Sequence, residues 1–283
     1  MKFVFFGTRE LGAFVLEHLL KAGYTPSLVV TGPDRRAGRK QEFLSSPVKR
    51  MAKEHNLPLT QPEKSAELLS RPELKTAELF VLAAYGNILS KELVEMPPKG
   101  VLNVHPSLLP KYRGPSPERG ALLNGDAKTG VTVMLMDEQV DHGPILAQEE
   151  FVIPKDITHE ELHVKLGEIG GELLVKTIPA WIQGKIVSTK QDHSKATYTK
   201  KLSREDGEID WSQPPEYIER QVRAFTRWPG AFTFWKGKRV KILKTHIKEG
   251  KLVIDELQLE GKKPTSLREF LLGHKDFLES ILD

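Results

Sequence analysis

Two polar side chains end an otherwise apolar stretch at residues 101–105, "VLNVH". Asn103 and His105 are two residues apart, so on a β-strand both side chains leave the same face. An amide and an imidazole placed side by side can donate hydrogen bonds to one oxygen. Donors already aimed at a developing oxyanion lower a barrier by roughly 3 to 4 kcal/mol each. The spacing therefore indicates a site that stabilises the oxyanion of an acyl transfer.

A carboxylate near the imidazole would fix its tautomer or hold it protonated. The segment "MDEQVDHG" offers two carboxylates in a connection between predicted strands. Asp141 is the stronger candidate, since the nearby Gly143 lets backbone approach a ligand closely, and Asp137 is the weaker one. The competing interpretation makes His105 a core histidine bonded to a carbonyl and Asn103 an amide that stabilises a turn.

Short apolar strands alternate with helices over the first half of the chain. Strands are predicted at "KFVFFG", "SLVVTG", "LFVLAAYG" and "GVLNVHPS", with helical patterns between them. This order predicts an α/β fold, a Rossmann-like, mostly parallel sheet covered on both faces. Ligands bind at the carboxyl ends of strands in such sheets, which is where Asn103 and His105 fall. The polar segment "PDRRAGRKQEFLSSPVKR" after the second strand is predicted to be an exposed loop.

The second half has a different order of predicted strands and helices. Two strands flank the acidic connection, and a long helix is predicted over 157–183. Its Gly170–Gly171 pair costs about 1 kcal/mol per glycine relative to alanine, so another element should cross closely there. Strands at short spacing near the carboxyl end predict an OB-like β-barrel. We therefore predict a catalytic domain at 1–188, a linker at 189–208 and an OB-like domain at 209–283.

Composition narrows the class of protein. With 283 residues, 39% hydrophobic and 28% charged, the chain has the composition of a soluble globular protein of two domains. It contains no cysteine, which excludes disulfides, thiolate metal sites and a cysteine nucleophile. No run approaches the roughly 20 apolar residues that span a bilayer, and the first residues do not resemble a secretory signal. These features predict a cytoplasmic protein with no membrane partner.

Positive charge is concentrated near the carboxyl end. Residues 1–194 carry 24 basic and 24 acidic side chains, whereas residues 195–283 carry 18 and 14. Within the latter, "KGKRVKILKTHIKEGK" has seven basic residues and one acidic residue. Such a patch suggests an anionic partner, and a solvated strand face guarded by lysines is an equally good explanation. The arginines of the predicted loop suit phosphate contacts. The alternative interpretation is that the segment is only a solvated surface loop.

Two motifs resemble a known family. "NVHPSLLPKYRG" together with "MDEQVDHGPIL" resembles the folate-dependent formyltransferases, whose common elements are an N-x-H, an S-L-L-P and a downstream D-x-G. The resemblance extends over nearly the whole chain. "FVFFGTRELGAFVLEHL", "LAAYGNILSKEL" and "EDGEIDWSQPPEYIERQVRAFTRWPGAFT" look like the members that formylate methionyl-tRNA.

The resemblance implies transfer of a formyl group from 10-formyltetrahydrofolate to the amino group of methionine on initiator tRNA, a step of translation initiation. It implies that Asn103, His105 and Asp141 form the catalytic trio. It implies a folate site lined by Ser107, Leu108, Leu109 and Pro110. It also implies tRNA contacts from the basic loop and the barrel, which we assign to Arg35, Arg36, Arg39, Lys238, Arg239 and Lys241.

In the predicted reaction a neutral amine attacks the formyl carbon directly. The predicted enzyme is a monomer that uses neither a metal ion nor a covalent enzyme intermediate. Two alternatives stay open. One is a formyltransferase acting on a small amine such as a sugar nucleotide. The other is a non-catalytic nucleic-acid-binding protein on a Rossmann-like scaffold.

Overall fold

The structure is a computed structural model that describes residues 1–37 and 42–282. Its helices are α1 (Glu10–Lys21), α2 (Pro47–Glu54), α3 (Pro72–Lys75), α4 (Lys91–Val94), α5 (Pro117–Asn124), α6 (His159–Ile182), α7 (Pro215–Ala224), α8 (Leu267–Gly273) and α9 (Phe277–Leu282). Its strands are β1 (Phe3–Gly7), β2 (Leu28–Val30), β3 (Arg35–Ala37), β4 (Glu42–Leu44), β5 (Leu59–Thr60), β6 (Leu79–Ala83), β7 (Val101–His105), β8 (Lys128–Leu135), β9 (Ile145–Val152), β10 (Phe232–Trp235), β11 (Lys238–Lys248), β12 (Lys251–Leu259) and β13 (Thr265–Ser266). Over the described ranges, every helix is too short or too polar to cross a bilayer.

The chain forms two compact units. The first comprises Met1–Gly114, Thr129–Val152 and His163–Tyr198. The second comprises Pro115–Lys128, Ile153–Leu162 and the described chain from Thr199 onward. The predicted boundaries of the linker, at residues 188 and 208, stay a prediction.

The first unit is built on a seven-stranded sheet in the order β5-β2-β1-β6-β7-β8-β9. The strands from β5 to β7 in that order run parallel, and β8 pairs with β7 antiparallel. Strands β1, β2, β6 and β7 are buried at every residue, which explains their continuous apolar runs. The predicted Rossmann-like, mostly parallel sheet is confirmed.

The second unit contains a separate antiparallel sheet in the order β10-β11-β12-β13. Apolar residues of these strands and of helices α7, α8 and α9 form its own core. This sheet occupies the region for which the sequence predicts an OB-like barrel. The fold class is therefore confirmed as an α/β part followed by a β part.

The basic segment differs from the predicted loop, because β3 and β4 pair antiparallel as a short hairpin. Arg35 lies opposite Leu44, and Ala37 lies opposite Glu42. The prolines and the glycine of the segment indicate a loop, so composition alone did not reveal this pairing. Residues 38–41, which include Arg39, lie outside the described residues.

Helix α6 crosses β7 where the glycine pair predicts a close approach. An ideal Cβ on Gly170 would lie 2.8 Å from Val104 Cγ1, and one on Gly171 would lie 2.6 Å from His18 Cγ. Since side chains alternate along β7, α6 covers the face opposite Asn103 and His105. The helix thus fixes the strand from behind and leaves its polar face free for chemistry.

We predict that Gly170→Ala lowers the free energy of unfolding by about 1 to 3 kcal/mol through overpacking, although alanine is the better helix former by about 1 kcal/mol. In a Val104→Ala background the loss should shrink or reverse, because the methyl group in conflict is gone. Urea denaturation of the four proteins measures both effects. Equal losses in the two backgrounds would contradict contact between Gly170 and Val104.

Candidate active site

Strand β7 and the β8–β9 connection bring the three predicted polar residues together. Asn103 Nδ2 donates a hydrogen bond of 3.3 Å to Asp141 Oδ1. His105 Nδ1 lies 3.6 Å from the same oxygen. All three residues belong to the first compact unit, and the imidazole and carboxylate are only 6% and 14% exposed. An amide, an imidazole and a carboxylate therefore share one partly dehydrated spot at the carboxyl end of β7.

The second nitrogen of the imidazole defines its protonation. His105 Nε2 lies 3.0 Å from the carbonyl oxygen of Tyr112. A carbonyl only accepts, so this bond requires a proton on Nε2. Nδ1 is then the ring atom that faces the carboxylate of Asp141. A core histidine bonded to a carbonyl would account for Nε2 alone and would leave the convergence on Asp141 unexplained.

Backbone geometry selects Asp141 over the other aspartate of the connection. Asp141 has φ of +49°, in the left-handed region that aspartate tolerates better than most residues. Its Oδ2 accepts a 2.8 Å hydrogen bond from the N–H of Gly114. Asp137 instead pairs with His142, whose Nδ1 lies 2.6 Å from Asp137 Oδ2. Asp137 is thus engaged with a different imidazole from that of His105.

The turn that follows β7 is held by side chains of the neighbouring strands. The hydroxyl of Thr132 donates to Ser107 O at 2.6 Å and accepts from Leu109 N at 3.1 Å. Gln148 Nε2 donates to Leu109 O and to Thr132 Oγ1, both at 2.9 Å. The Ser107 hydroxyl donates to Lys111 O at 2.7 Å. These bonds fix the turn that carries the proposed folate contacts.

Within this turn the four predicted folate contacts are not equivalent. Ser107 and Leu109 are buried, whereas Leu108 and Pro110 are half-buried. The Leu109–Pro110 peptide bond is cis. Leu108 and Pro110 are therefore the side chains of this turn that a bound molecule could touch, and the other two shape the backbone beneath them.

The geometry can be compared with that of known proteins. Residues 1–178 match the Formyl transferase family, and residues 201–251 match the Formyl transferase C-terminal domain. The chain belongs to the formyl transferase family. A "Methionyl-tRNA formyltransferase" of Chloroflexus aurantiacus is 45% identical over 249 residues, covering 87% of this chain and 80% of that protein. One of the same name from Geotalea uraniireducens is 39% identical over 306 residues, covering 100% and 98%.

Solved structures share the fold at low sequence identity. An N-formyltransferase from Helicobacter canadensis, in complex with folinic acid and dTDP-3-aminofucose, has a TM-score of 0.68 at 20% identity and covers 94% of this chain and 98% of its own. A methionyl-tRNA formyltransferase from Clostridium thermocellum has a TM-score of 0.60 at 18% identity, covering 92% and 98%. At these identities the similarity concerns the fold of this formyl transferase and not its acceptor.

A buried polar network of this formyl transferase escaped the sequence predictions. Arg113, 1% exposed, donates from Nε and Nη2 to Gln191 Oε1 at 3.2 and 2.7 Å. Its Nη1 lies 3.3 Å from the hydroxyl of Tyr198. Gln191 Nε2 donates to the carbonyl oxygens of Asp141 and Gly143 at 2.9 and 2.8 Å. The sequence signal for Arg113 was its place in "KYRG" directly after the S-L-L-P motif, and Gln191 fell in the predicted linker.

A stacked histidine pair lies beside this network. Arg113 Nη2 is 2.8 Å from His193 Nδ1, and since a guanidinium only donates, this nitrogen accepts. The ring of His193 is stacked on that of His142 with centroids 4.0 Å apart and 4° between planes. Burial, followed by the charges of His142 and Arg113, holds the pKa of His193 below its ordinary value. Neutral His193 is therefore the form that suits Arg113.

The predicted tRNA contacts fall in two places. The backbones of Arg35 and Arg36 lie in β3, and Arg39 lies outside the described residues. On β11, Arg239 and Lys241 alternate with the fully buried Val240 and so share the outer face. The register of β10 and β11 places Phe234 opposite Arg239, and Phe234 is 54% exposed. Lys238 lies at the start of the strand, on the same face as Val240, and is exposed there.

Arg239 is held in an unusual environment for an arginine. Its Cζ lies 3.5 Å from the ring centroid of Phe232, a cation–π arrangement. Its Nε and Nη2 are buried and have no hydrogen-bond partner within the described chain. Burial, and after it the charge of Arg204, lowers the pKa of Arg239. These two buried donors are unsatisfied within the described chain, a cost that the contact with the Phe232 ring offsets in part.

We predict that Thr132→Val, which keeps the shape of the side chain, lowers the free energy of unfolding by about 1 to 3 kcal/mol, because buried groups of the turn lose their partner. Thr245→Val is the matched control: the Thr245 hydroxyl is buried without a partner among the described residues, so its removal should be neutral or stabilising. Thermal and urea denaturation compare the two. An equal effect of both substitutions would contradict the role of the Thr132 hydroxyl.

Proposed function

We propose that this chain transfers the formyl group of 10-formyltetrahydrofolate to the amino group of methionine carried by initiator tRNA, a step of translation initiation. The observation that carries the proposal is the convergence of Asn103, His105 and Asp141 within the formyl transferase fold. Relatives that are 36% to 45% identical over most of the chain carry the name methionyl-tRNA formyltransferase, which supports the same acceptor.

The proposed reaction is direct acyl transfer. The neutral amine of methionine attacks the formyl carbon, and the carbonyl oxygen becomes an oxyanion. Asn103 Nδ2 has two N–H groups, one of which is engaged by Asp141, so the other can donate to the oxyanion. Because Nε2 already carries a proton toward Tyr112 O, His105 donates from Nδ1 as the imidazolium, and each such donor contributes roughly 3 to 4 kcal/mol.

Collapse of the tetrahedral intermediate requires a proton balance. The bond between the formyl carbon and N10 of the folate breaks, N10 gains one proton, and the amine loses one. The carboxylate of Asp141, whose Oδ1 lies 3.6 Å from His105 Nδ1, can take that proton from the amine and return it to N10. Asp141 also fixes the ring, which is anchored at its other nitrogen by Tyr112 O. Neither a metal ion nor a covalent intermediate enters this scheme, and the expected lack of a metal stays a prediction.

The donor and the acceptor would contact different residues outside the reacting atoms. We propose that the turn of residues 107–110 contacts the folate through Leu108 and Pro110, which are half-buried. The acceptor tRNA would be bound by phosphate contacts from the segment around Arg35, Arg36 and Arg39. The β11 residues Lys238, Arg239 and Lys241 would add contacts to the tRNA backbone. The exposure of Lys238 at the start of β11 supports this assignment.

Further features of the proposal follow from the chemistry. The trio comes from one chain, so we propose a monomer. The reaction uses charged initiator tRNA, so we propose a cytoplasmic location and no membrane partner. We keep 1–188 as the catalytic region, 189–208 as the linker and 209–283 as the tRNA-binding region.

The proposal is tested by presenting 10-formyltetrahydrofolate with three acceptors in parallel: methionyl initiator tRNA, the uncharged tRNA and a sugar-nucleotide amine. Only the charged tRNA should gain the formyl group. Asn103→Ala, His105→Ala and Asp141→Asn should each reduce kcat by about 10²-fold or more, because an oxyanion donor or its positioning group is lost. Melting curves should show all three variants folded.

Other outcomes decide between the alternatives. Formylation of the sugar-nucleotide amine alone would establish a small-amine formyltransferase. No formylation of any acceptor, together with tight tRNA binding, would establish a nucleic-acid-binding protein. Turnover within a few-fold of wild type in the Asn103 and His105 variants would remove the trio from the mechanism.

Binding of tRNA should depend steeply on salt, because phosphate contacts release counterions. Replacement of Arg239 by Gln should weaken binding and reduce the slope of log affinity against log salt by about 1. Lys75→Gln, an exposed lysine on α3, is the control and should leave the slope unchanged. Filter binding between low and physiological salt measures both, and a flat dependence in wild type would favour a small acceptor.

A further inference from the structure

We propose that Gln191 and Arg113 are positioning residues of the formyl transfer site, acting through the backbone of Asp141. This inference rests on the proposed function, since it concerns the carboxylate of the trio. Neither residue contacts the side chains of Asn103 or His105 in the hydrogen bonds described above. Their effect on the reaction would pass through the placement of Asp141.

Arg113 fixes which way the amide of Gln191 points. Both of its contacting nitrogens, Nε and Nη2, are donors at 3.2 and 2.7 Å from the same atom of Gln191. The atom that faces them must accept and is therefore Oε1. The alternative amide orientation would set N–H groups against a guanidinium. The buried arginine thus forces the NH₂ group of Gln191 toward the opposite side.

On that side the NH₂ group meets two carbonyls of the β8–β9 connection. Its hydrogen bonds of 2.9 and 2.8 Å reach Asp141 O and Gly143 O, so both N–H groups of the amide have an acceptor. The connection is tightly packed here, because an ideal Cβ on Gly143 would lie 2.0 Å from Leu135 O. Gln191 consequently clamps the backbone on both sides of His142.

The clamp matters because Asp141 occupies a costly conformation. A non-glycine residue in a sparsely populated backbone region costs on the order of 1 to 3 kcal/mol and persists where its surroundings over-determine it. At φ of +49°, the Asp141 carboxylate accepts from Gly114 N at 2.8 Å and from Asn103 Nδ2 at 3.3 Å. A rotation of this backbone would carry the carboxylate away from both donors and from His105.

Arg113 and Gly114 are adjacent, so one short stretch holds both the carboxylate and the backbone of Asp141. The N–H of Gly114 binds its carboxylate directly, while the Arg113 side chain reaches its backbone through Gln191. Gln191 is 78 residues away from Arg113 in the chain. A displacement of about 1 Å at a reacting group can cost about 10²-fold in rate.

The test is a double-mutant cycle between Gln191 and Asp141. Gln191→Glu keeps an acceptor toward Arg113 and removes both donors to the clamped carbonyls. We expect kcat to fall by about 10²-fold, with KM for methionyl-tRNA and for 10-formyltetrahydrofolate changed less than threefold (about 0.6 kcal/mol at 25 °C). In an Asp141→Asn background the same substitution should change kcat by only a few-fold, because the group it positions has already lost its function.

The second compact unit provides a matched control. Gln221 is also buried, and its Nε2 donates to two carbonyls, Asp206 O and Glu208 O, at 3.3 and 3.1 Å. Gln221→Glu makes the same chemical change outside the trio and should leave kcat within twofold of wild type. Gln191→Met, which has similar length and no hydrogen bonds, replaces Gln191→Glu if the latter melts below the assay temperature.

The outcomes separate the inference from the proposed function. If Asp141→Asn alone leaves kcat unchanged, the catalytic trio fails and the inference fails with it. If Asp141→Asn is impaired while the Gln191 variants stay within twofold of wild type, the inference alone is overturned. The same holds if Gln191→Glu lowers kcat by an equal factor in both backgrounds, since equal losses indicate a general structural role.

Discussion

The carboxylate of Asp141 is the interaction on which the rest of the site depends. It receives the amide of Asn103, the backbone N–H of Gly114 and the approach of His105 Nδ1. Hydrogen bonds to a charged group contribute about 1.5 to 3 kcal/mol each, so this carboxylate holds three separate segments in one arrangement. Desolvation would make an isolated carboxylate costly here. With its partners, the partly buried carboxylate becomes the element that orders the site.

Alternation along β7 lets one strand serve structure and chemistry together. Val104 faces helix α6, and its side chain packs directly against the helix at Gly170. Its neighbours Asn103 and His105 face the opposite way. A helix that could not approach so closely would leave β7 poorly supported from behind. The glycine in a helix interior is therefore explained by the close packing of α6 on β7.

The sequence predicted the fold class and the shared face of Asn103 and His105 because both rest on local patterns, whereas Asp141 is 38 residues from Asn103 and its place in the trio came from the family resemblance. Apolar runs separated by helical periodicity define a parallel sheet, and a two-residue spacing defines a shared face. The support of Asp141 could not be predicted this way, because Arg113 and Gln191 are 78 residues apart and no periodicity links them. Polar composition placed Gln191 in a linker, although it is 5% exposed. Burial of a polar residue follows from tertiary contacts, which composition does not report.

The short stretch from His105 to Gly114 connects the turn of residues 107–110 with the partners of the trio. Its first part forms the turn held by Thr132 and Gln148, where the folate is proposed to bind. Its last part supplies Tyr112 O to the imidazole and Gly114 N to the carboxylate. Tyr112 itself has φ of +60°, a strained conformation whose N–H is also fixed, by Thr197 Oγ1 at 2.8 Å. A molecule that shifts the turn would therefore shift the partners of the trio as well, so the proposed donor binding and the proposed oxyanion stabilisation depend on one stretch of backbone.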